Sequence, residues 1–467
     1  YFNAVKIYGK IPYIHPSITT PEEVEEYVNS SSIYFDVNKT VYDKSGLDTL
    51  IIIDTIALDK IYLDMDMVID TFTTQLPAKI KTVGVIHNID NGDLTWDVTV
   101  WNNDAYHALM GEMHLYNSNL TEAYNYFYPI LFNFNSENSV KYGLDNKFSY
   151  NKWANIFTGI DPDEHILTLQ FDKTYQQQHE LQSLFSILPP NKYMLKPTRI
   201  AVDLWETIWR GQKLEMNATP EESYMDEIGI PGDFSRGHAV SFAYRKNQQL
   251  LTESEVRLML DYKISNNYRE IENLMNGVDT VVYKYTLGKN VFDQDANIIL
   301  NRASNIHLYC SEIYAYWLYD FNDNGLLNTN ILKGLTILNN GAYREPPNPA
   351  QLGVRGRVGF GDGDDAVYIK NIIYTHDPFT NQVSGYYDFT NNLLAKQEYL
   401  EEQILDERAR ELAYEGYRFY DLIRIAKRRG DPSFLANKVA AKFSGAEADQ
   451  IREHLMHEEN WYIPLPE

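Results

Sequence analysis

Residues Glu402 to Pro432 read EQILDERARELAYEGYRFYDLIRIAKRRGDP. Apolar or aromatic residues recur at Ile404, Leu405, Leu412, Phe419, Leu422 and Ile423, which is close to a helical period. Opposite charges stand at helix-neighbour spacings. Asp406 and Arg410 are four apart, while Glu407/Arg410, Glu415/Arg418 and Asp421/Arg424 are three apart. The stretch predicts one helix over Lys396–Arg429, stopped by Gly430, Asp431 and Pro432. Gly416 lies mid-pattern, where glycine costs about 1 kcal/mol relative to alanine, so a close helix contact or a kink is expected there.

Outward from this stretch, the composition narrows the class. The chain has 467 residues, of which 44% are hydrophobic, enough for a large core and two or three domains. The formal charge of −24, from 41 basic and 65 acidic residues, argues against nucleic acid, which demands basic surface. The 36 tyrosines suit helix seams and recognition surfaces alike, because each joins a large contact area to a polar tip. The single cysteine, Cys310, allows no intrachain disulfide and sits in the apolar run IHLYCSEIYAYWLY, where it reads as a small core residue. No apolar run reaches the roughly 18 residues of a membrane span. The opening YFNAVKIYGKIPYI reads as the end of a helix stopped by Gly9 and Pro12, so the numbering is expected to begin inside a longer polypeptide.

Further helices are expected at Tyr1–Tyr8, Asp59–Leu76, Asn102–Phe132, Ile298–Asp320 and Leu326–Asn339. Gly111, Ala123 and Phe127 have the small, small and aromatic spacing of a tetratricopeptide repeat, with Asn117–Asn119 as the turn. Ile298–Asn339 is a second helix pair, turned by Asn322–Gly325. Between Asn133 and Asp295 lie short apolar runs such as His165–Phe171 and Val278–Tyr285, which predict short strands and helices in a loop-rich portion. Three parts follow: residues 1–132 helical, 133–295 irregular and ligand-binding, 296–467 helical.

The string ERARELAYEGYRFYDLIR resembles the C-terminal signature of the SusD/RagB family, lipid-anchored nutrient-binding proteins of Bacteroidetes outer membranes. Its signature positions here are Glu407, Arg410, Glu411, Glu415, Gly416, Arg418, Asp421 and Arg424. Other blocks resemble the family in the same order: YFNAVKIYGKIPYI, IDTFTTQLP, NDAYHALMGEMHLYNSNLTEAYNYF, YMLKPT, NRASNIHLYCSEIY and NWYIPLPE. The segment between about Phe242 and Asp295 matches no family block, and the family's lipidated cysteine is not visible. The resemblance implies a mostly α, SusD-like fold of tetratricopeptide-like helix pairs that support a loop-rich, mixed ligand-binding portion. It implies a non-enzymatic lid on a SusC/RagA-like, TonB-dependent outer-membrane barrel, held at the cell surface by an N-terminal lipid anchor. QLGVRGRVGF, with RASNIHLY before it, resembles the RagB-like branch associated with oligopeptide uptake, with oligosaccharide as the alternative ligand.

Catalytic motifs such as H-E-x-x-H, G-x-S-x-G and the Walker loop are absent, and the 11 histidines are scattered. Asp161, Asp163 and Glu164 in GIDPDE are the carboxylates a hydrolase could pair, but in a Pro-containing turn they read as caps. Asp320–Gly325 opens like an EF-hand loop, yet Ile331 stands where the bidentate glutamate is needed. Asp362, Asp364 and Asp365 place three carboxylates in four residues, a weak candidate for Ca²⁺; no other cofactor is implied. For ligand contacts the candidates are Trp153, Tyr175, Gln176, Gln177, Tyr193, Trp205 and Trp209, aromatic planes and amides of the kind that bind sugars or peptides. Trp205 and Trp209, four apart, are placed to form one aromatic strip, but a helix packing its tryptophans inward is the preferred reading. A tetratricopeptide-like interaction scaffold without a small ligand is the competing class, opposed by the large irregular middle.

Overall fold

The computed structural model describes residues 2–12, 20, 22, 40–42, 49–51, 62–69, 97–131, 142, 144, 150–161, 163–175, 177, 179–185, 194–213, 227–285, 296–317, 329–339, 352–360, 367, 372–377, 383–390 and 392–464. The chain divides into two units. One comprises Tyr1–Gly84, Met113–Asn119 and Leu422–Glu467, the other Val85–Glu112 and Leu120–Asp421. These units cut across the three stretches read from the sequence.

In the first unit the helix Phe2–Tyr8 stops at Gly9, whose φ is +72°. A side chain there would also meet the Tyr462 ring at 2.8 Å, so both backbone and space call for glycine. Ile463 N donates to Ile7 O at 2.9 Å, and Ile11–Pro12 pairs antiparallel with Tyr62–Leu63. Residues 62–63 were expected inside a helix over Asp59–Leu76; helix is present at residues 65–69. Near the C-terminus, Pro432–Ala440 and Gly445–Leu455 form helices, and the buried Trp461 donates Nε1–H to Leu455 O at 2.7 Å. Asp431 caps the first of these, with Pro432 at its start, where a missing N–H costs nothing.

The second unit is largely helical. The expected pair is present as Asn103–Tyr116 and Leu120–Leu131. Gly111 faces Phe127, leaving no room for a side chain: an added Cβ would lie 2.3 Å from the ring. Phe127 in turn stacks on Tyr309, with ring centroids 5.5 Å apart. Tyr309 belongs to the helix Ala303–Tyr316, which is buried along almost its whole length, Cys310 included. It packs against Thr329–Leu338, where Ser311 donates to Gly334 O at 2.8 Å.

Two expectations about helix extent are corrected. Ile298–Arg302 is a strand, paired antiparallel with His165–Leu169, and the helix starts only at Ala303. The predicted Lys396–Arg429 helix is two helices, Leu393–Glu411 and Arg418–Arg429. Tyr414 and Gly416, at φ +62° and +86°, turn the chain between them. An added Cβ at Gly416 would meet nothing within 4 Å, so its role is conformational and no close helix contact is involved.

The middle portion carries the three-stranded order Val278–Val282, Phe242–Lys246, Gln249–Leu250. Thr252 and Glu255 then close a reciprocal capping box at the start of Glu253–Ile264. Trp205, Phe242, Tyr244, Val256 and Leu260 share the core of this part. No helix among the described residues is long and apolar enough to cross a membrane.

Candidate functional site

Glu407 and Glu411 stand one turn apart on the Leu393–Glu411 helix, and Glu415 follows four residues later. All three carboxylates point into the second unit, where arginines from distant segments meet them. Arg236 donates to Glu407 at 2.5 Å, to Glu411 at 3.0 Å and to Asp233 at 2.7 Å. Arg302 donates to Glu164 at 2.9 Å and Glu411 at 2.8 Å, and grips both oxygens of Glu415 at 3.0 and 2.9 Å. Arg357 donates to Glu164 at 2.7 Å and also pairs with Glu411. Arg355 and Arg410 both reach Glu407, at 3.0 and 2.8 Å. Lys284 closes the set on Glu415 at 2.5 Å. The Trp153 ring lies beside three of these cations, with Arg357, Arg302 and Arg236 at 5.0, 5.5 and 5.9 Å from its centroid. The indole π-face favours cations in a place where water is excluded.

Burial alone would raise the Glu164 and Glu407 carboxyls. The facing guanidiniums overcome this and hold both well below the usual carboxylate range. Glu411 and Glu415 are lowered in the same way. Burial pushes Lys284 down to about 8 despite Glu415, and Arg355 down to about 10 despite Glu407. A network this buried gains little net stability from its own Coulomb energy, but losing any one partner leaves an uncompensated charge. Its arrangement is that of a scaffold, since every carboxylate is occupied by fixed cations and none is presented to solvent. The remaining signature charges act nearby. Arg408 grips Asp421 through two bonds at 2.8 and 3.0 Å and lies 4.1 Å over Tyr309. Arg418 donates to Leu405 O at 2.6 Å and to Asp406 at 3.4 Å.

Of the expected local pairs, Glu407/Arg410 is present, while Glu415 meets Arg302 and Lys284 and Asp421 meets Arg408. The GIDPDE carboxylates separate as well. Asp161 accepts from Asp163 N at 3.2 Å in its turn, and Glu164 faces the arginines. Burial pushes the Cys310 thiol up, away from nucleophilic chemistry.

The ligand candidates scatter. Trp153 and Trp205 are wholly buried, the first under the arginines and the second in the sheet core, so neither ring faces solvent. The helix carrying Trp205 ends at Glu206 and Trp209 begins a strand, so no tryptophan strip forms on one helix, and Trp205 packs inward as preferred from the sequence. Tyr175 is 76% exposed, and Gln177 is exposed beside it, accepting from Asp172 N at 3.0 Å. Gln176 and Tyr193 lie outside the described residues, as do Asp320–Gly325 and Asp362, Asp364 and Asp365, while Ile331 lies in the helix Thr329–Leu338. Among the described residues no group of three or more His, Cys, Asp or Glu could hold a metal ion.

One surface escaped the sequence reading. Ile372–His376 and Val383–Asp388 form an antiparallel hairpin in which Tyr374 and Tyr386 are directly opposite. They are 59% and 65% exposed, with ring centroids 6.5 Å apart. On the other face Ile373 is buried, and Tyr387 stacks on the buried Phe389 at 5.6 Å while touching Tyr399 at 5.7 Å. The period-two alternation in IIYT and SGYYD was the available signal.

The SusD family model matches residues 345–467, which include the Arg355/Arg357 turn and both signature helices. No curated protein matches the chain. Among solved structures, a SusD superfamily protein from Bacteroides vulgatus aligns over 96% of this chain and 68% of its own, at 15% identity and TM-score 0.49. One from Bacteroides thetaiotaomicron aligns over 98% and 72%, at 14% identity and TM-score 0.45. A laminarin-binding SusD-like protein aligns over 96% and 71%, at 14% identity and TM-score 0.41. The chain thus spans about two thirds of the length of these structures.

Proposed function

We propose that this chain, whose residues 345–467 match the SusD family model, is a SusD/RagB-family protein and a cell-surface lid that captures an oligomeric nutrient. In this reading the lid delivers its ligand to a SusC/RagA-like, TonB-dependent outer-membrane barrel and performs no chemistry on it. The observation that carries the reading is the family match, centred on a stretch whose charges the fold uses internally. Glu407, Glu411 and Glu415 hold the arginine cluster, so the signature builds a rigid support and leaves recognition to other surfaces.

The ligand is an oligosaccharide or an oligopeptide. The block that resembles the oligopeptide branch, QLGVRGRVGF, places Arg355 and Arg357 in the buried network. It therefore serves the scaffold, and its sequence does not bear on ligand choice. Of the sequence candidates with described side chains, Tyr175 and Gln177 are the exposed ones and remain proposed contacts, as do Gln176, Tyr193 and Trp209.

Native mass spectrometry of the protein purified from its own outer membrane tests the reading. A co-purifying barrel with bound saccharide or peptide is the expected result. A stable protein that carries neither barrel nor ligand would replace the lid with an interaction scaffold.

A further inference from the structure

A small cavity lies in the second unit beside the helix Arg199–Glu206. Its volume is about 10 Å³, the space of a single water molecule. Trp205 and Glu206 from that helix, Asp233 and His238 from the turns before Phe242, and Val256 and Leu260 from the helix Glu253–Ile264 line it. The turns are seated on the tryptophan. Asp233 N donates to Trp205 O at 2.8 Å, and an added Cβ at Gly237 would lie 3.0 Å from Trp205 Cβ. Trp205 and His238 both pack on the Phe242 ring, with centroids 5.5 and 5.9 Å from it.

The carboxylates of this wall are already bonded. Asp233 accepts from Ser235 N, Arg236 N and Arg236 Nε at 3.1, 3.1 and 2.7 Å. Glu206 accepts from Arg199 at 2.5 Å and Lys263 at 2.7 Å through one oxygen, and from the Tyr244 hydroxyl through the other. Two atoms stand apart. Trp205 Nε1 and His238 Nε2 have no hydrogen-bond partner among the described residues, although the two residues are only 1% and 5% exposed.

These two atoms differ in what they need. An indole Nε1 only donates, whereas a neutral imidazole has one nitrogen that donates and one that accepts. Burial holds His238 down at about 4, so its ring is neutral at neutral pH. One water meets both needs: its oxygen accepts from Trp205, and one of its hydrogens goes to His238 Nε2. The second hydrogen can turn to Glu206, a carboxylate with about four acceptor sites, of which three are taken. Leaving two buried groups unbonded costs more than immobilising one water.

We infer that this cavity is a binding site for one ordered water, which bridges Trp205 Nε1–H to His238 Nε2 and so keeps the His238 proton on Nδ1. The water sits where the helix Arg199–Glu206 meets Phe242, Val256 and Leu260, the start of the segment that matches no family block. The inference is independent of the lid reading.

The test is a crystal structure of the intact wild-type protein at a resolution that shows ordered waters, joined to NMR of the same protein carrying isotope-labelled histidine and tryptophan. The expected result is one water within hydrogen-bond distance of both Trp205 Nε1 and His238 Nε2. The Trp205 indole proton should show a cross-peak to slowly exchanging water, and His238 should be the Nδ1–H tautomer. His238→Leu removes the acceptor and should lose the cross-peak. His238→Gln, whose amide oxygen accepts, should keep it. The wild-type measurements decide the matter even where a variant does not fold. A direct Trp205–His238 hydrogen bond, an Nε2–H tautomer at neutral pH, or a site closed by side-chain repacking would each overturn the inference.

Discussion

Arg357 donates to Glu164 at 2.7 Å although the two residues stand 193 positions apart in the chain. Glu164 also accepts from Arg302 at 2.9 Å, so one carboxylate bridges two buried guanidiniums, whose remaining charge is met by Glu411 and Glu415. The strand His165–Leu169 begins at the very next residue and pairs with Ile298–Arg302. The ion pairs therefore lock a sheet register as well as balancing charge.

Removing that carboxylate should be severe. Glu164→Ala strands Arg302 and Arg357 and is expected to cost about 3–5 kcal/mol, read as a lower denaturant midpoint. Arg302→Met should cost a similar amount, because Glu164, Glu411 and Glu415 all lose a partner. Lys284→Met should cost clearly less, since Glu415 keeps Arg302. Equal losses for the two methionine variants would contradict this ranking.

Acid should destabilise the fold in two stages. Burial lowers His238 and His307 from 6.5 to about 4. Between those values the unfolded chain holds more protons, so stability falls as pH drops from 6.5 towards 4. Glu164 and Glu407 are held below the usual carboxylate range, so their contribution is complete above ~4.3 and is lost as pH falls below it. Urea unfolding measured across this range should show a gentle slope that steepens in the lower stage. A stability that stays level down to pH ~3 would refute both assignments.

Two glycines should respond to alanine for different reasons. Gly111→Ala drives a methyl into Phe127 and should cost about 1–3 kcal/mol, partly recovered by Phe127→Leu in the double variant. Gly416→Ala meets no neighbour and should cost about 1 kcal/mol through its positive φ alone. Phe127→Leu should leave the second variant unimproved, and thermal melts of the combinations would show it.

Arg418→Ala removes a bond to Leu405 O and a longer pair with Asp406. The side chain is about one third exposed, so a loss of about 1 kcal/mol is expected, with ligand affinity unchanged. A variant that melted like the wild type yet failed to bind would assign Arg418 to recognition.

Local packing was legible in the sequence. Gly111, Ala123 and Phe127 announced a close helix pair, and Gly9 announced the end of the first helix. The charged cluster was not, because helical spacing shows only that charges can meet on a helix. It does not reveal that Glu407 and Glu411 face arginines from residues 236, 302, 355 and 357. The strand Ile298–Arg302 was absorbed into a helix because an apolar run has no period of its own, and only its partner His165–Leu169 decides its form. Of the two tryptophans, Trp205 was readable as an aromatic on an amphipathic helix, but its burial depended on Phe242 and Tyr244 folding over it. The hairpin tyrosines lay in an irregular Gly-rich region, where short alternations are easily passed over.

The order in which the cluster's members occur along the chain matters during synthesis. Arg236, Arg302, Arg355 and Arg357 are all made before Glu407, Glu411 and Glu415. At ribosomal speeds the interval from the first arginine to the last glutamate is on the order of ten seconds or more. Throughout it Arg236 has Asp233, and Arg302 and Arg357 share Glu164, but the Glu407, Glu411 and Glu415 carboxylates that complete the cluster beside Trp153 do not yet exist. The signature segment thus acts as a completion signal: folding of the second unit waits for its own final residues, and a chain cut before Glu407 should collapse without a cooperative melt.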